Sequence, residues 1–202
     1  MDILCSDLEG VFVPEIWINV AEKTGIEELK LTTRDISDYD RLMAKRLSVM
    51  ERHNLKLKDI TDVIAAMDPL DGAAEALAWI RERHQIIILS DTFEEFAKPL
   101  MKKLDFPTLL CHSLDIDTNG RIVDYALRQP SQKKKAVKAL QSLNYRVVAF
   151  GDSYNDTEML KQADHGFFFM PPESIVKDFP DLAVTRNYDE LKQMITSVLS
   201  CS

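Results

Sequence analysis

Three apolar stretches, far apart along the chain, each end in small polar or acidic residues that could do chemistry. Asp7 and Glu9 follow the stretch ILCS, Ser90 ends QIIILS, and Asp152 follows RVVAFG. Each stretch has the length and composition of a buried β-strand. In an open parallel sheet, ligands bind at the carboxyl ends of the strands, so we expect these residues to converge on one crevice. The simpler alternative is that each of them only caps the helix that follows.

The acidic residues of the first and third stretches predict a site for a divalent cation. Asp7 and Glu9 are spaced i, i+2, so in an extended chain they project from the same face. Two carboxylates that lie so close repel each other unless a cation or a shared proton intervenes. Asp152 and Asp156 add two more carboxylates, and no thiolate or imidazole cluster competes for a softer metal. Because Mg2+ prefers oxygen ligands and keeps substrate phosphate oxygens in its shell, we expect Mg2+ as the cofactor.

Other residues offer the groups that phosphoryl transfer needs, namely donors for the phosphate oxygens and a positive charge. Ser90 offers a hydroxyl group. The backbone N–H groups of Asp91 and Thr92 stand at the start of a predicted helix, where anions bind readily. The run QKKKAVKAL supplies lysines, of which we expect Lys133 to point inward, with Lys134 as the second candidate. The remaining lysines of the run are expected on a solvated helix face.

The pattern of elements around these motifs predicts an α/β fold. In the larger, C-terminal part of the chain, predicted helices and strands alternate, which is typical of a doubly wound, mainly parallel, Rossmann-like sheet. Asn119-Gly120 lies between two alternating runs and predicts a small β-hairpin extension. Residues 14–70 show helical periodicity and predict an all-helical insert. The α/β core is then expected to comprise residues 1–13 and 71–202.

The composition is that of a globular protein with one substantial core. The 202 residues are 46% hydrophobic, and 33 acidic against 25 basic side chains give a formal net charge of -8. Proteins that bind nucleic acid or anionic membranes need a basic face, so we expect neither as a partner. The three cysteines form no CxxC pair and argue against a disulfide framework. Since the chain has neither a basic leader nor an apolar run of about 18 residues, we expect a cytoplasmic protein.

The chain carries four motifs in order from Asp7 to Asp156, namely DLEGV, LSDT, the lysine of QKKK and GDSYND. Together they resemble the motifs of the haloacid dehalogenase superfamily of phosphatases, and the helical insert is similar to the cap that many members carry. Within the superfamily, the chain resembles the phosphoserine phosphatases. Among these it is most similar to the bacterial bifunctional phosphoserine phosphatase/homoserine phosphotransferases. The stretches that carry this likeness are DLEGVFVPEIWI, RDISDYD, LSDT and GDSYND.

The resemblance implies a Mg2+-dependent phosphatase that works through an aspartyl phosphate. Asp7 would attack phosphorus, while Glu9 would protonate the departing alkoxide and later deprotonate the incoming water or alcohol. Mg2+ would be held by the Asp7 carboxylate, the Glu9 backbone carbonyl and Asp152. Further motif residues are implied around the phosphoryl group: Ser90, the amide of Asp91, Lys133 and Asn155, with Asp156 orienting the lysine or a metal-bound water.

Two residues of the predicted cap match positions that recognise the serine part of the substrate. Glu15 would bind the amino group, and Arg46 would bind the carboxylate, for which its forked guanidinium is well suited. The alternatives are a first-turn helix residue for Glu15 and a solvated helix face for Arg46. The resemblance thus implies O-phosphoserine as the substrate, a role in serine biosynthesis, and homoserine as an additional acceptor.

The chain departs from the phosphoserine phosphatases at two places. Glu9 stands where most family members have aspartate, so the acid reaches one methylene further. Asp91-Thr92 follows Ser90 where Gly-Gly is usual, which narrows the space around the phosphate. The bifunctional type shares both departures.

Other functions stay open at the level of the sequence. One is a phosphatase for another small phosphate ester, such as a sugar phosphate. Dehalogenation is less favoured, because it needs neither an acid at Glu9 nor a metal site at Asp152. A phospho-acceptor signalling module similar to a response-regulator receiver would fit the α/β pattern, but the helical insert and Glu9 argue against it.

Overall fold

Seven strands form one sheet in the computed structural model, which describes residues 1–32, 35–36 and 38–200. Two residues of the RDISDYD stretch, Arg34 and Ser37, lie outside the described residues, as does Cys201. The strands are β1 (Asp2–Ser6), β2 (Gln85–Phe93), β3 (Thr108–Ile116), β4 (Ile122–Ala126), β5 (Arg146–Gly151), β6 (His165–Phe169) and β7 (Ala183–Thr185). Their order is β4-β3-β2-β1-β5-β6-β7, and only β3 and β4 pair in antiparallel fashion.

Nine α-helices accompany the sheet in the described part of the chain. They are α1 (Ile16–Thr24), α2 (Tyr39–Arg52), α3 (Leu57–Ala65), α4 (Ala73–Arg81), α5 (Glu94–Lys103), α6 (Gln132–Ser142), α7 (Thr157–Gln162), α8 (Glu173–Asp178) and α9 (Tyr188–Ser200). Short 3-10 turns lie at Glu27–Lys30 and Tyr154–Asp156. Among the helices described, none combines the length and the apolar character needed to cross a membrane.

The central strands are apolar on both faces, because helices cover both sides of the sheet. In β1 the side chain of Leu4 packs into one hydrophobic cluster, whereas Ile3 and Cys5 pack into another. In β5 the alternation repeats, with Val148 in the first cluster and Val147 in the second. Helices α4, α5 and α9 complete the first cluster, and α6, α7 and α8 complete the second. The predicted doubly wound, mainly parallel α/β fold is confirmed.

The helices α1, α2 and α3 lie in the segment for which the sequence predicts a helical cap. Their buried side chains, among them Met43 and Ile60, belong to the same hydrophobic cluster as side chains of β1. The inserted helical segment is therefore present, and its apolar side is continuous with one face of the sheet. The division into a core of residues 1–13 and 71–202 and a cap of residues 14–70 stays a prediction.

The hairpin of β3 and β4 extends from the sheet towards the helical segment. Gly120, at a φ of 77°, forms the turn that the Asn-Gly pair predicts. The carbonyl of Gly120 accepts a hydrogen bond from the N–H of Leu57, the first residue of α3 (3.0 Å). On β4, the Tyr125 hydroxyl donates a hydrogen bond to Asp40 of α2. The hairpin extension is thus confirmed, and it contacts two helices of the segment.

Strand β2 is longer than predicted, and this corrects the expected environment of Asp91 and Thr92. The sequence predicts a strand that ends at Ser90, with Asp91 and Thr92 at the N-terminus of a helix that starts at Glu94. Helix α5 does begin at Glu94, but β2 runs on to Phe93, which pairs with His112 of β3 after a register shift. A β-branched residue followed by an aromatic residue favours the extended conformation. The N–H groups of Asp91 and Thr92 therefore belong to the strand and not to a helix N-terminus.

The loop after β1, which carries Asp7 and Glu9, is held in place by the C-terminal helix. The hydroxyl of Tyr188, the first residue of α9, donates a hydrogen bond to the backbone carbonyl of Val11 (2.6 Å). Val11 is fully buried, so water cannot replace this donor. Burial also raises the pKa of Tyr188, which keeps its hydroxyl protonated as a donor.

We expect Tyr188→Phe to lower the free energy of unfolding by about 1 kcal/mol, because the buried carbonyl of Val11 loses its donor. Tyr145→Phe is the matched control, since the Tyr145 hydroxyl makes no hydrogen bond to any described residue. Urea denaturation followed by circular dichroism measures both variants. Equal stability of the two variants would contradict a role of this hydrogen bond in holding the loop.

Candidate active site

The carboxyl ends of β1, β2 and β5 lie side by side, because β1 pairs in parallel with both of its neighbours. Asp7 directly follows β1, and its N–H donates a hydrogen bond to the carbonyl of Phe150 in β5 (3.1 Å). Asp152 directly follows β5, and Ser90 lies near the end of β2. The three polar stretches of the sequence therefore meet at one edge of the sheet.

A cavity of about 470 Å³ opens at this edge, between the sheet and helices α1 and α2. Most residues that the sequence predicts for the site line this cavity, namely Asp7, Glu9, Glu15, Arg46, Ser90, Asp91, Thr92, Asp152 and Asn155. Lys133, also predicted, lies behind the Asp7 carboxylate, against which its ammonium group packs. We refer to this space as the substrate cavity.

Lys133 is a buried cation held between buried carboxylates. Its Nζ lies 2.8 Å from Asp7 Oδ2, 2.7 Å from Asp156 Oδ1 and 3.9 Å from Asp91 Oδ2. Burial alone would lower the pKa of Lys133, but Asp156, Asp7 and Asp91 outweigh it and raise the pKa well above its usual range. The lysine therefore stays charged although only 3% of its surface is exposed.

Both oxygens of the Asp156 carboxylate accept hydrogen bonds from groups within the protein. Its Oδ1 accepts from Lys133, and its Oδ2 accepts from the N–H groups of Asp152 (3.0 Å) and Ser153 (3.1 Å). A Cβ atom at Gly151 would overlap with this carboxylate, so the turn after β5 can close around it only with glycine there. Asp156 thus orients Lys133 and fixes the turn that presents Asp152.

The Asp152 carboxylate, in contrast, is buried without an ion-pair partner among the described residues. Oxygen atoms of Asp7, Asp152 and Asp156 lie within 4.8 Å of one another. Burial first, and then the charges of Asp156 and Glu15, raise the pKa of Asp152 to about 7. A buried carboxylate surrounded by negative charge needs a cation, and a carboxylate cluster suits a hard one such as Mg2+. The residues present therefore fit a divalent cation.

Gly10 allows the loop that carries Glu9 to lie directly against Asp152. Its φ of 74° is in the left-handed region, and a Cβ atom there would overlap with the Asp152 carboxylate. Only glycine meets both requirements without strain. The backbone beside Glu9 and the unpaired carboxylate of Asp152 are thereby brought together.

Glu9 does not continue the extended strand, which corrects the expectation that it projects from the same face as Asp7. Strand β1 ends at Ser6, and the chain then turns at Gly10. The Glu9 carboxylate accepts a hydrogen bond from the N–H of Ile16, the first residue of α1 (2.8 Å). When Glu9 is ionised, its charge lies at the N-terminus of a helix, where the macrodipole favours a negative charge.

The environment of Glu9 favours a proton on its carboxyl group near neutral pH. Burial first, and then the charge of Glu15, raise the pKa of Glu9 to about 7. The hydrogen bond from Ile16 and the positive charge of Arg46 act in the opposite direction but are weaker. A carboxyl group with such a pKa can both release and accept a proton during one reaction cycle.

Arg46 is buried and has no ion-pair partner among the described residues. Its guanidinium stacks on the Trp17 ring at 4.5 Å and donates through Nη2 to the carbonyl of Leu31 (2.9 Å). Its Nε is buried and has no hydrogen-bond partner within the part of the chain that the structure describes. Burial lowers the pKa of Arg46 to about 10, which still leaves it charged at neutral pH. The solvated helix face considered for Arg46 is thus excluded, and the side chain has unused capacity to bind an anion.

Ser90 and Asp91 lie beside the substrate cavity with different hydrogen-bond partners. The buried Ser90 Oγ accepts from the N–H of Thr92 (3.3 Å), which leaves its own proton available to a ligand. The Asp91 carboxylate accepts from Asn155 Nδ2 (3.0 Å) and Gln132 Nε2 (3.3 Å). The cavity wall at Asp91 is therefore tied to two other elements of the fold.

Burial alone would raise the pKa of Asp91, yet the carboxyl group stays ionised. The charge of Lys133 and the hydrogen bonds from His112, Asn155 and Gln132 outweigh burial and hold the pKa of Asp91 below its usual range. His112 Nδ1 accepts from the N–H of Arg128, so its Nε2, 3.6 Å from Asp91 Oδ1, carries the proton. The charge on Asp91 is therefore a fixed feature of the site.

Three residues around Asp91 escaped the sequence analysis, namely Gln132, His112 and Tyr39. Gln132 donates to the carbonyl of Ser90 as well as to Asp91, and its position directly before Lys133 is the one signal that could have identified it. His112 lies in a strand with no recognisable motif, and the Tyr39 hydroxyl donates to the Asp91 carbonyl (3.3 Å) from the helical segment. Only the folded chain brings these residues together.

We expect Lys133→Met to lower the free energy of unfolding by about 3–5 kcal/mol, because it leaves buried carboxylates without their cation. Lys134→Met is the matched control, since Lys134 forms its ion pair with Glu158 at the surface and is expected to cost less than about 1 kcal/mol. Urea denaturation of both variants at neutral pH gives the comparison. Similar losses in the two variants would contradict the buried ion-pair network.

Sequence comparisons relate the chain to known hydrolases. The family model of haloacid dehalogenase-like hydrolases matches residues 6–164. Over 193 residues the chain is 56% identical to the phosphoserine phosphatase ThrH of Pseudomonas aeruginosa, with 96% of this chain and 94% of that protein covered. It is 55% identical to a phosphoserine phosphatase of Pseudomonas syringae pv. tomato, with 96% of this chain and 81% of that protein covered.

A comparison with solved structures shows that the chain shares its fold with known phosphoserine phosphatases. A crystal structure of phosphoserine phosphatase in its apo form superposes with a TM-score of 0.77, covering 95% of this chain and 98% of that chain at 20% sequence identity. At this identity the likeness shows the fold alone. The prediction that the chain is an enzyme, a phosphoric monoester hydrolase, is confirmed by the sequence relatives. With the family model matching most of its length and the motif residues gathered at one edge of the sheet, the chain belongs to the haloacid dehalogenase-like hydrolase family.

Proposed function

We propose that the protein is a Mg2+-dependent phosphatase that hydrolyses O-phosphoserine through an aspartyl phosphate on Asp7. The observation that carries the proposal is the set of charged residues that line the substrate cavity. Asp7 lies in the same cavity as Glu15 and Arg46, whose charged groups form no ion pair with any described residue. A phosphorylated amino acid offers a partner to each of them. The names of the two Pseudomonas relatives support this choice of substrate.

In the first step, a carboxylate oxygen of Asp7 attacks phosphorus, and the bond between phosphorus and the serine oxygen breaks. Burial first, and then the charge of Asp156, raise the pKa of Asp7, while Lys133 opposes them. Asp7 therefore needs positive charge beside it to act as a nucleophile. A Mg2+ ion held by the Asp7 carboxylate, the Glu9 carbonyl and Asp152 would supply that charge and offset the charge of the phosphoryl oxygens.

Glu9 donates a proton in the first step and accepts one in the second. It gives its proton to the departing serine oxygen and later takes a proton from the water that attacks the aspartyl phosphate. This attack forms the bond from the water oxygen to phosphorus and returns Asp7 as a carboxylate. The hydrogen bond from Ile16 holds the Glu9 carboxylate at the start of α1, on the wall of the substrate cavity.

Donors around Asp7 bind the phosphoryl oxygens. The Ser90 hydroxyl can donate, the Asp91 N–H lies at the same end of β2, and Lys133 contributes its charge next to Asp7. Such donors stabilise the charge that the phosphoryl group carries in the transition state. Asn155 contributes by fixing Asp91, to which it donates a hydrogen bond.

The helical segment of residues 14–70 would act as the cap that recognises the rest of the substrate. Arg46 of α2 offers its charge and its Nε, which pairs with no described residue, to the substrate carboxylate, and a forked guanidinium suits a planar anion. Glu15, directly before α1, offers a carboxylate to the substrate ammonium group. The two contacts select an amino acid over an uncharged alcohol as the leaving group.

The same contacts would admit homoserine as a phosphoryl acceptor. Homoserine carries the ammonium and carboxylate groups of serine and one additional methylene before its hydroxyl. Bound by Glu15 and Arg46, it would direct that hydroxyl to the aspartyl phosphate, with Glu9 taking its proton. The proposal includes a cytoplasmic role in serine biosynthesis, where the hydrolytic reaction would release serine.

We expect 31P NMR to show loss of the O-phospho-L-serine signal with Mg2+ and its persistence with EDTA. Addition of L-homoserine is expected to produce a second phosphomonoester signal. Turnover by Asp7→Asn should fall at least about 10³-fold, because the nucleophile is removed. Asp181→Asn, at an exposed position, is the control. Full turnover by Asp7→Asn would contradict the mechanism, and turnover of other esters alone would contradict the substrate.

We expect Arg46→Ala to lower kcat/KM for O-phosphoserine by about 100-fold, equivalent to about 3 kcal/mol, through loss of the contact to the carboxylate. O-phosphoethanolamine lacks this carboxylate, so its kcat/KM should change by less than about threefold. Arg52→Ala, at the exposed end of the same helix, is the matched control variant. Equal losses on both substrates would show that Arg46 acts through packing on Trp17 and not through the substrate.

A further inference from the structure

A second cavity, of about 650 Å³, adjoins the substrate cavity. Among the residues that the structure describes, the linings of the two cavities share Tyr39, Asp91 and Asn155. We refer to these three residues as the partition. The second cavity lies on the far side of the partition, next to the loop that precedes α6 and to Lys134 and Glu158.

Hydrogen bonds join the partition residues through Asp91. The Tyr39 hydroxyl donates to the Asp91 carbonyl (3.3 Å), and Asn155 Nδ2 donates to Asp91 Oδ2 (3.0 Å). Each residue comes from a different part of the fold, since Tyr39 begins α2, Asp91 belongs to β2 and Asn155 lies in the turn after β5. Asp91 therefore connects Tyr39, through its backbone carbonyl, to Asn155, through its side chain.

Further contacts hold the Asp91 carboxylate from the side of the second cavity. Its Oδ1 lies 3.3 Å from Gln132 Nε2 and 3.6 Å from His112 Nε2. Lys133 Nζ lies 3.9 Å from its Oδ2. A carboxylate with this many donors and a nearby cation is costly to displace, because each charge-assisted hydrogen bond is stronger than a neutral one. The Asp91 side of the partition is therefore rigid.

The Tyr39 ring is anchored from the side of the hairpin. It packs edge to face against Tyr125 of β4, with ring centroids 5.8 Å apart. Tyr125 in turn donates to Asp40, the neighbour of Tyr39. Residues of α2 and β4 thus hold the Tyr39 side of the partition in place.

We propose that Asp91 is a specificity-determining residue that closes the substrate cavity and restricts it to small phosphate esters. The inference rests on the proposed function of this cavity as a phosphate ester site. The three shared residues lie between the two cavities, so a phosphate ester whose organic group extends towards Asp91 and Asn155 meets the partition before it reaches the second cavity. Removal of the Asp91 side chain opens the substrate cavity onto the second cavity and gives the longer group room.

The test compares two inert ligands that differ in length, phenylphosphonate and 4-biphenylphosphonate, in the presence of Mg2+. Isothermal titration calorimetry measures the binding of both ligands to the full chain. Phosphonates are not hydrolysed, so the ratio of their dissociation constants is independent of turnover. The wild type is expected to bind the longer ligand at least about tenfold more weakly than the shorter one, as for a ligand that exceeds its pocket.

We expect Asp91→Gly to shift this ratio in favour of the longer ligand by at least about tenfold. Asp91→Asn is the matched control, because it keeps the size of the side chain and removes its charge. Its ratio should stay within about threefold of the wild-type ratio. A shift of equal size in Asp91→Asn would overturn the proposal, since the charge of Asp91 and not its bulk would then exclude the longer ligand.

A second pair of variants tests the partition from the Tyr39 side in case Asp91→Gly does not fold, as judged by circular dichroism. Tyr39→Ala removes the ring and is expected to shift the ratio in the same direction. Tyr39→Phe keeps the ring, loses only the hydroxyl, and should shift the ratio less. An unchanged ratio in folded Asp91→Gly, or in Tyr39→Ala where Asp91→Gly is unfolded, would overturn the proposal.

An assay with O-phosphoserine separates this inference from the proposed function. Failure to hydrolyse O-phosphoserine, together with a shifted phosphonate ratio, would reject the proposed substrate and support the partition. Hydrolysis of O-phosphoserine with an unshifted ratio would support the substrate and overturn the partition. Absence of phosphonate binding in the wild type and in every variant would overturn the inference, because the cavity would then not accept phosphate-like ligands.

Discussion

The buried ion pair of Lys133 with two carboxylates is the interaction on which the site depends. The strand order places β1 between β2 and β5, so Asp7 and the turn carrying Asp156 lie side by side in a region that excludes water. Negative charges packed so closely cannot persist in a buried region without a cation. Lys133 supplies it from the first turn of α6, at 2.8 Å from Asp7 and 2.7 Å from Asp156. The contact also ties α6 to the reactive edge of the sheet.

One lysine does not balance all the acidic groups at this edge, and the remaining negative charge would suit a dication. Both carboxylate oxygens of Asp156 accept hydrogen bonds, one from Lys133 and one from backbone N–H groups. Asp152, in contrast, has no ion-pair partner among the residues described. Gly10 lets the loop after β1 press against this carboxylate. Folding therefore gathers more negative charge than the protein neutralises, and ion binding would offset the cost of burying it.

Features encoded locally could be predicted from the sequence. The apolar stretches before Asp7 and Asp152 predicted strands, and Asn119-Gly120 predicted the hairpin, because each signal lies within a few neighbouring residues. The predicted end of β2 was wrong, because the strand continues to Phe93, which pairs with His112. The local sequence does not reveal this partner. The hydrogen bonds around Asp91 join groups that are remote in sequence, and no local pattern encodes such contacts.

The two positions at which the chain departs from the phosphoserine phosphatases both contact the inserted segment. At Glu9 the side chain makes the contact, since its carboxylate accepts from the N–H of Ile16 in α1. At Asp91 the backbone makes it, since the carbonyl accepts from Tyr39 of α2, as the carbonyl of any residue there could. Both residues therefore link the reactive edge of the sheet to a helix of the inserted segment. Displacement of α1 would break the bond to Glu9 and displacement of α2 the bond to Asp91, so the position of both residues in the cavity wall depends on the inserted segment.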